Sequence, residues 1–259
     1  MFRVTYITHY SELYGANRSL LDLIGEARRR QTVEPLVILP REGPMMAQLA
    51  KERITHAVIP FEPWMSDRVY MGGPHHRIMQ HLRYERAARE RRRANAAALP
   101  AILKAIGDHR AQLIHMNSAA VGVAPGVLER SGLPAIWHIR ELPERQYLLH
   151  IDTGRRRYGQ MLRRATGLIA ISDAVKEDVR RYAGSSTAVE RIYNGVLTSA
   201  RYSELRNGAG ERWTKASPFT FLLLGLIHPS KGQEEAIRAI SIVRQKHPDV
   251  RLMIAGSGM

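Results

Sequence analysis

Reactive side chains cluster where apolar runs stop. "LIHMN" ends in His115 and Asn117, "AIWHIR" ends in His138 and Arg140 with Glu141 next, and "RVTYITH" leads into a turn that carries Gly15 and Ala16. A fourth stretch, "HPSKGQ", puts Lys231 just ahead of a helical pattern. A histidine at a strand end can give or take a hydrogen bond at a cleft floor. A glycine where a strand turns into a helix lets backbone approach a ligand, and the helix start offers free N–H groups and partial positive charge to an anion. A lysine in a loop before a helix suits a diphosphate. Each has a plain structural reading beside it. Gly15 serves as an ordinary tight turn with Asn17 near the helix start. His138 serves as a satisfied core histidine. Asn117 or Ser118 caps the next helix instead of meeting an acceptor hydroxyl with His115. Arg140 and Glu141 line a cleft or pair with each other, and Lys231 is a solvated loop residue.

Other chemistries find no support. The chain has no cysteine, so disulfides, cysteine zinc sites and thiol catalysis are excluded. It has no Walker loop, no H-E-x-x-H and no G-x-S-x-G elbow. His75, His76 and His81 in "GPHHRIMQH" have no carboxylate set beside them, so no metal site is expected. Ser172 and Asp173 read as a helix cap, and Asn194-Gly195 as a turn.

Short β-type runs alternate with helical ones. Strands are expected at 3–9, 34–40, 55–61, 112–117, 135–140, 167–172 and 189–195, and helices at 15–30, 43–53, 78–107, 119–131, 145–164 and 173–183. Residues 62–77 look irregular, and Pro100 is expected to break or kink the long helix. Strands separated by helices pair in parallel through right-handed crossovers, which predicts a doubly wound α/β sheet. Ligands in such sheets gather beyond the carboxyl ends of the strands, where His9, Asn117, His138, Arg140, Ser172 and Asn194 fall. Residues 197–217 are polar with no apolar period, and make the best domain boundary. A strand at 219–225, a helix at 232–246 and a strand at 250–256 follow, too few elements for a core of their own.

The ordered set "YGANRSLLDLI", "IWHIRE", "LIAISDAVKEDV", "IYNGV" and "LGLIHPSKGQEEAIRAI…RLMIAGSGM" resembles family 4 glycosyltransferases of the GT-B fold. The resemblance implies two Rossmann-like domains: a complete N-terminal acceptor-side domain at 1–196, a linker at 197–217, and the first βαβ part of a nucleotide-sugar-binding domain at 218–259. It implies sugar transfer from a nucleotide-sugar to an acceptor hydroxyl with retention and without a metal or other cofactor. His138 would stabilise charge on the sugar, Gly15, Ala16 and Lys231 would hold donor phosphate, and His115, Asn117, Arg140 and Glu141 would line the acceptor cleft. Two departures stand out: Tyr14 replaces one of the two glycines the family often has, and Leu226 stands where the family usually has arginine. The family's paired glutamates would fall beyond residue 259.

Net charge is +15, from 39 Lys and Arg against 24 Asp and Glu, so an anionic partner is expected. The runs at 83–93 and 154–164 suit an anionic membrane surface or are simply solvated faces. No nucleic-acid module is visible. No apolar run approaches the roughly 20 residues of a membrane span, and the N-terminus lacks a signal-peptide apolar region. The expected setting is cytoplasmic, peripheral at the inner face of a membrane, with lipid-linked or saccharide acceptors in polysaccharide or glycolipid synthesis. The competing reading is a non-catalytic acceptor-domain remnant that binds a membrane or partner.

Overall fold

The computed structural model describes residues 1–195, 197, 199–208, 218–228 and 231–256. They form two compact units, Met1–Val196 and Leu197–Met259. The first contains β1 (Phe2–Ile7), α1 (Gly15–Arg29), β2 (Val33–Leu39), α2 (Pro44–Lys51), β3 (Thr55–Val58), β4 (Met65–Asp67), α3 (Pro74–Asp108), β5 (Leu113–Met116), α4 (Ala124–Arg130), β6 (Ala135–Ile139), α5 (Pro143–Gln146), β7 (Leu149–Ile151), α6 (Gly154–Arg164), β8 (Gly167–Ala170), α7 (Asp173–Ala183) and β9 (Glu190–Arg191). The second contains α8 (Ser199–Gly208), β10 (Thr220–Leu224), α9 (Gln233–Val243) and β11 (Arg251–Ala255).

Seven strands of the first unit form one sheet in the order β3-β2-β1-β5-β6-β8-β9, with every neighbouring pair parallel. The chain winds outward from β1 to β3, then returns to start β5 on the other side of β1. That reversal between β1 and β5 is the topological switch point, where neighbouring loops leave in opposite directions and open a crevice. The sheet is covered on both faces by two buried clusters. One packs Tyr6 and Val37 against Leu20 and Ile24 of α1 and Leu49 of α2. The other packs Trp137, Ile114 and Met116 against Ile102 and Ile106 of α3 and Met161 of α6. In its centre Trp64, Trp137 and Tyr158 meet ring to ring, each centroid pair within 5.9 Å.

The structure departs from the sequence expectation in four places. The stretch at 62–77 contains β4, which pairs antiparallel with β7. The expected helix at 145–164 is broken into α5, β7 and α6, because Leu148 turns into the left-handed region (φ +53°) and β7 is drawn onto β4. A buried carboxylate fixes that pairing: Asp152 takes two 2.7 Å bonds from Arg91 of α3. Helix α3 runs unbroken through Pro100, since Leu99, Ile102 and Ile106 on either side are buried and their packing outweighs the roughly 3 kcal/mol cost of an interior proline. Finally, α4 starts at Ala124 rather than 119, because Ser118–Ala120 form a turn tied to Glu141.

In the second unit β10 and β11 pair in parallel across α9, and α9 has no buried residue. Within the stretch read as a linker, α8 spans Ser199–Gly208. Val196, Thr198, residues 209–217, Pro229, Ser230 and 257–259 lie outside the described residues, and with them part of the "GSG" strand end.

Candidate functional site

The carboxyl ends of β1, β5 and β6 bring together one connected group. Its hub is Arg140, 8% exposed, one residue past the end of β6. Its Nε donates to Asn117 Oδ1 at 2.7 Å, Nη1 to Asn194 Oδ1 at 2.6 Å and to Ser19 Oγ at 3.1 Å, and Nη2 to His138 Nδ1 at 3.3 Å. One guanidinium therefore ties β5, α1, β6 and the segment after β9. None of these acceptors is a carboxylate. Burial lowers the Arg140 pKa to about 10, still charged at neutral pH. The Glu141 carboxylate nearby supports this charge without bonding to the guanidinium, which leaves its ion-pair geometry open to an anion brought by a ligand.

His138 gains its chemistry from that contact. A guanidinium only donates, so His138 Nδ1 accepts and the ring proton sits on Nε2. Nε2 is buried and has no partner among the described residues. The result is an unused N–H donor at the switch point. Burial first, then Arg140 and His115, lowers the His138 pKa to about 2. At neutral pH the ring is an uncharged hydrogen-bond donor, neither a proton donor nor a base. His115 stands beside it, with ring centroids 5.5 Å apart and its own Nε2 unpartnered. Burial and Arg140 bring its pKa to about 3. His9, past the end of β1, is likewise lowered to about 3, by burial and then Arg41.

The other expected residues divide. Asn117 is fully buried and already engaged at both ends: Oδ1 accepts from Arg140, and Nδ2 donates to Ala16 O at 3.2 Å. It braces the first turn of α1, with one N–H and one lone pair of its amide engaged. It is not the cap; Ser118 accepts from Ala120 N–H at 2.9 Å. Glu141 accepts no bond from the Arg140 guanidinium, though the two charges stabilise each other. Its carboxylate takes the Ser118 hydroxyl, the Ala119 N–H at 2.7 Å and the Arg140 N–H at 3.2 Å. Burial raises its pKa against the pull of those donors. Glu141 shapes the β5–α4 turn, so the Arg140–Glu141 side-chain pair does not form. Gly15 is the first residue of α1, which has no acidic residue in its first turn and no side-chain cap. A Cβ at Gly15 would meet no atom within 4 Å.

Lys231 belongs to the second unit, one residue before Gly232, the N-cap of α9. The first turn of α9 already carries Glu234 and Glu235, which answer the helix dipole with the charge a diphosphate would bring. Ser172 does cap α7, accepting from Val175 N–H at 3.2 Å. Sequence reading missed Ser19, and placed Asn17 near the helix start without its role. Asn17 is buried and pins the β1–α1 loop, accepting from Thr8 and donating to Tyr10 O and Glu12 O. Its only signal is a polar residue two places after Gly15 in an otherwise apolar helix face. Among the described residues no three His, Asp or Glu side chains converge as metal ligands, and no helix is long and apolar enough to cross a membrane.

Residues 14–200 match the sequence pattern of Glycosyltransferase Family 4. The chain belongs to that family. Solved structures with the same fold include Anabaena Alr3699/HepE in complex with UDP, at TM-score 0.66 and 20% identity over 100% of this chain and 62% of that one. A glycosyltransferase from Rickettsia africae aligns at TM-score 0.56 and 13% identity, covering 98% and 68%. The lipopolysaccharide outer core galactosyltransferase WaaB aligns at 0.58 and 13%, covering 99% and 61%. At these identities the likeness is one of fold: the Rossmann-like architecture of GT-B glycosyltransferases. The chain spans 62% of the length of the Anabaena protein. No curated protein sequence matches it. Within this family 4 chain, the Arg140–His138 group stands at the sheet's switch point, beside the start of α1.

Proposed function

We propose that the protein transfers a sugar from a nucleotide-sugar to an acceptor hydroxyl, with retention of anomeric configuration, in the synthesis of cell-surface polysaccharide or glycolipid. The observation that carries this is the buried, unpartnered Nε2–H of His138, held in that tautomer by Arg140. A neutral N–H donor in a dry site binds a sugar oxygen and strengthens as that oxygen gains charge. The start of α1 at Gly15 and Ala16, together with the Arg140 charge, favours the phosphate side of a donor. Glu141 is engaged by backbone and offers no free nucleophile, so front-face displacement assisted by the departing diphosphate fits better than a covalent sugar–enzyme step. Nucleotide-sugar is the only co-substrate in this reading, with no metal. The Anabaena Alr3699/HepE complexes with UDP and UDP-glucose support a uridine donor. The acceptor would be lipid-linked or saccharide, met at the cytoplasmic face of a membrane.

The test uses protein at its native length and the common UDP-, GDP- and dTDP-sugars. Wild type should transfer sugar from one of them or hydrolyse it. His138→Ala should lower turnover about 10²–10³-fold, with donor affinity nearly unchanged. Absence of transfer and hydrolysis with every donor sinks the reading. A second reading, a non-catalytic binding module, draws on Leu226 and on Glu234 and Glu235 at the start of α9. It predicts binding to a membrane or partner with no nucleotide binding.

A further inference from the structure

The unit Met1–Val196 has a second recess, apart from the Arg140–His138 group. Between β4 and α3 lies a cavity of about 380 Å³, within the roughly 300–1,000 Å³ range of small-molecule sites. Its polar walls are Ser66 and Asp67 of β4 and Gln80, Arg83, Tyr84 and Arg91 of α3, with Ala87 leaving room between them. Residues 80, 83, 84, 87 and 91 recur every three to four places, so one face of α3 supplies them. Several of these walls are fixed. Arg91 is held by Asp152 at 2.7 Å and donates to Ser66 Oγ at 2.9 Å. The Tyr84 hydroxyl accepts from Val69 N–H at 3.0 Å and donates to Val69 O at 2.7 Å, and the Arg68 guanidinium lies 6.0 Å from the centre of its ring. Gln80 Oε1 accepts from Met71 N–H at 2.9 Å, which leaves the Gln80 N–H groups unspent. Among the described residues nothing engages the Asp67 carboxylate or the Arg83 guanidinium.

The pattern of charge selects the class of ligand. Arg91 is already answered by Asp152, and Arg68 by Glu85 at 2.8 Å. The open charges on the cavity walls are then Asp67 and Arg83, of opposite sign. An anion would meet the Asp67 carboxylate, and a cation the Arg83 guanidinium. A neutral polyhydroxyl ligand suits both, because each hydroxyl gives one hydrogen bond and takes others. Neighbouring hydroxyls bridge Asp67 and Arg83 and reach the Gln80 N–H groups, while the Tyr84 ring offers an apolar wall to the C–H groups of a sugar. The cavity also adjoins the transfer group through the chain. Trp64, one residue before β4, donates from its indole to Ala119 O at 2.7 Å, and Ala119 N–H is held by Glu141, next to Arg140. Ser66 lies two strand residues further on, about 7 Å. β4 thus leads from the turn beside the hub to the cavity.

We propose that the cavity between β4 and α3 is a saccharide subsite, which holds a sugar unit of the acceptor away from the hydroxyl that reacts. Its role rests on the sugar-transfer reading and narrows the acceptor to a saccharide-bearing one; its binding does not depend on that reading. The test is calorimetric titration of the chain, without donor, using neutral tetrasaccharides of glucose, galactose, mannose and N-acetylglucosamine, with inorganic phosphate as competitor. One tetrasaccharide should bind, and phosphate should not displace it. Asp67→Asn/Arg83→Gln should weaken that binding at least about tenfold with an unchanged circular-dichroism melt, since both residues are exposed. In transfer assays the same variant should raise the KM for the tetrasaccharide by a similar factor, while Arg156→Ser, exposed on α6, should leave it as in wild type. If no tetrasaccharide binds, or the double variant binds it as tightly as wild type, the subsite is wrong and sugar transfer stands on its own test. Displacement by phosphate would make the cavity an anion site and overturn the proposal equally. A tetrasaccharide bound by wild type and lost in the double variant, with no transfer or hydrolysis from any donor, would keep the saccharide site and sink the transfer reading alone.

Discussion

The first unit and the second contain the same motif with opposite outcomes. In β1–α1–β2 two parallel strands joined by a helix bury Tyr6, Leu20, Ile24 and Val37. In β10–α9–β11 the strands also pair in parallel, but α9 has no fully buried residue and Leu222 is 61% exposed. Local sequence is sufficient to form the element in both. What differs is the next layer: α1 lies against a seven-stranded sheet with α2 beside it, while among the described residues α9 adjoins two strands. The two helix starts differ as well. The first turn of α1 has no acid and adjoins a buried cation, whereas that of α9 carries Glu234 and Glu235. A strand–loop–helix signal thus names a fold element, and only its neighbours decide whether it buries a core or greets an anion.

The largest expected effect tests the burial half of that contrast. Trp137→Ala removes a fully buried indole between Trp64 and Tyr158 and the bond from its Nε1 to Ser118 O, and should cost about 3–5 kcal/mol of the first unit's stability. Leu222→Ala in the equivalent apolar run of the second unit should stay within about 0.5 kcal/mol. Urea unfolding followed by near-ultraviolet circular dichroism measures both. Comparable losses would mean that the second unit has a core that its exposed surface denies.

The pH dependence should show a smaller effect, again confined to the first unit. His115 titrates near 6.5 when unfolded and at about 3 when folded, so between those values the unfolded chain binds the extra proton. Its stabilising contribution is complete above pH 6.5 and is lost as pH falls through that window, about 2 kcal/mol by pH 5. His115→Gln should flatten that part of the stability–pH curve. An unchanged slope would show that His115 takes up a proton in the folded state, and that the site is wetter than its geometry.

Period-2 and period-3.6 patterns were enough to find the seven parallel strands, because six of them pack apolar residues into a core; β9, Glu190–Arg191, is exposed and was found by the apolar residues flanking it. They were blind to β4 and β7, three residues each, because those strands exist through a contact 61 residues apart: Arg91 on Asp152. The polar strand ends were visible as candidates, but their roles were not. Asn117 looks the same in sequence whether it meets a ligand or braces Ala16, and Glu141 the same whether it lines a cleft or holds the Ser118 turn. Only the partners decide, and those come from four separate elements.

Changes at the hub should be subtler than those in the core. Arg140→Met removes the donor to His138 Nδ1 along with a buried charge, so the two stability terms oppose and the net change should be about 1 kcal/mol or less. The tautomer reports the change more clearly than the melt. Long-range nitrogen–proton correlation should show His138 as a single Nε2–H form in wild type and as a tautomer mixture in the variant. A pure Nε2–H form in both would mean that Arg140 does not set the proton, and would remove the positioning role argued for it.

The smallest effect on stability separates the two helix starts most sharply. Gly15 has no neighbour within 4 Å of where a Cβ would sit, and it is absent from the residues with positive φ. Folding therefore gives no reason for glycine there, and Gly15→Ala should change stability by a few tenths of a kcal/mol, in the stabilising direction if at all. The open space has value only if something else fills it. If α1 receives the phosphate side of a nucleotide-sugar by close backbone approach, the added methyl should weaken donor binding, read by calorimetric titration, while the melt stays put. If affinity and melt are both unmoved, the start of α1 is as indifferent to anions as that of α9, and Arg140 must hold the ligand's charge alone.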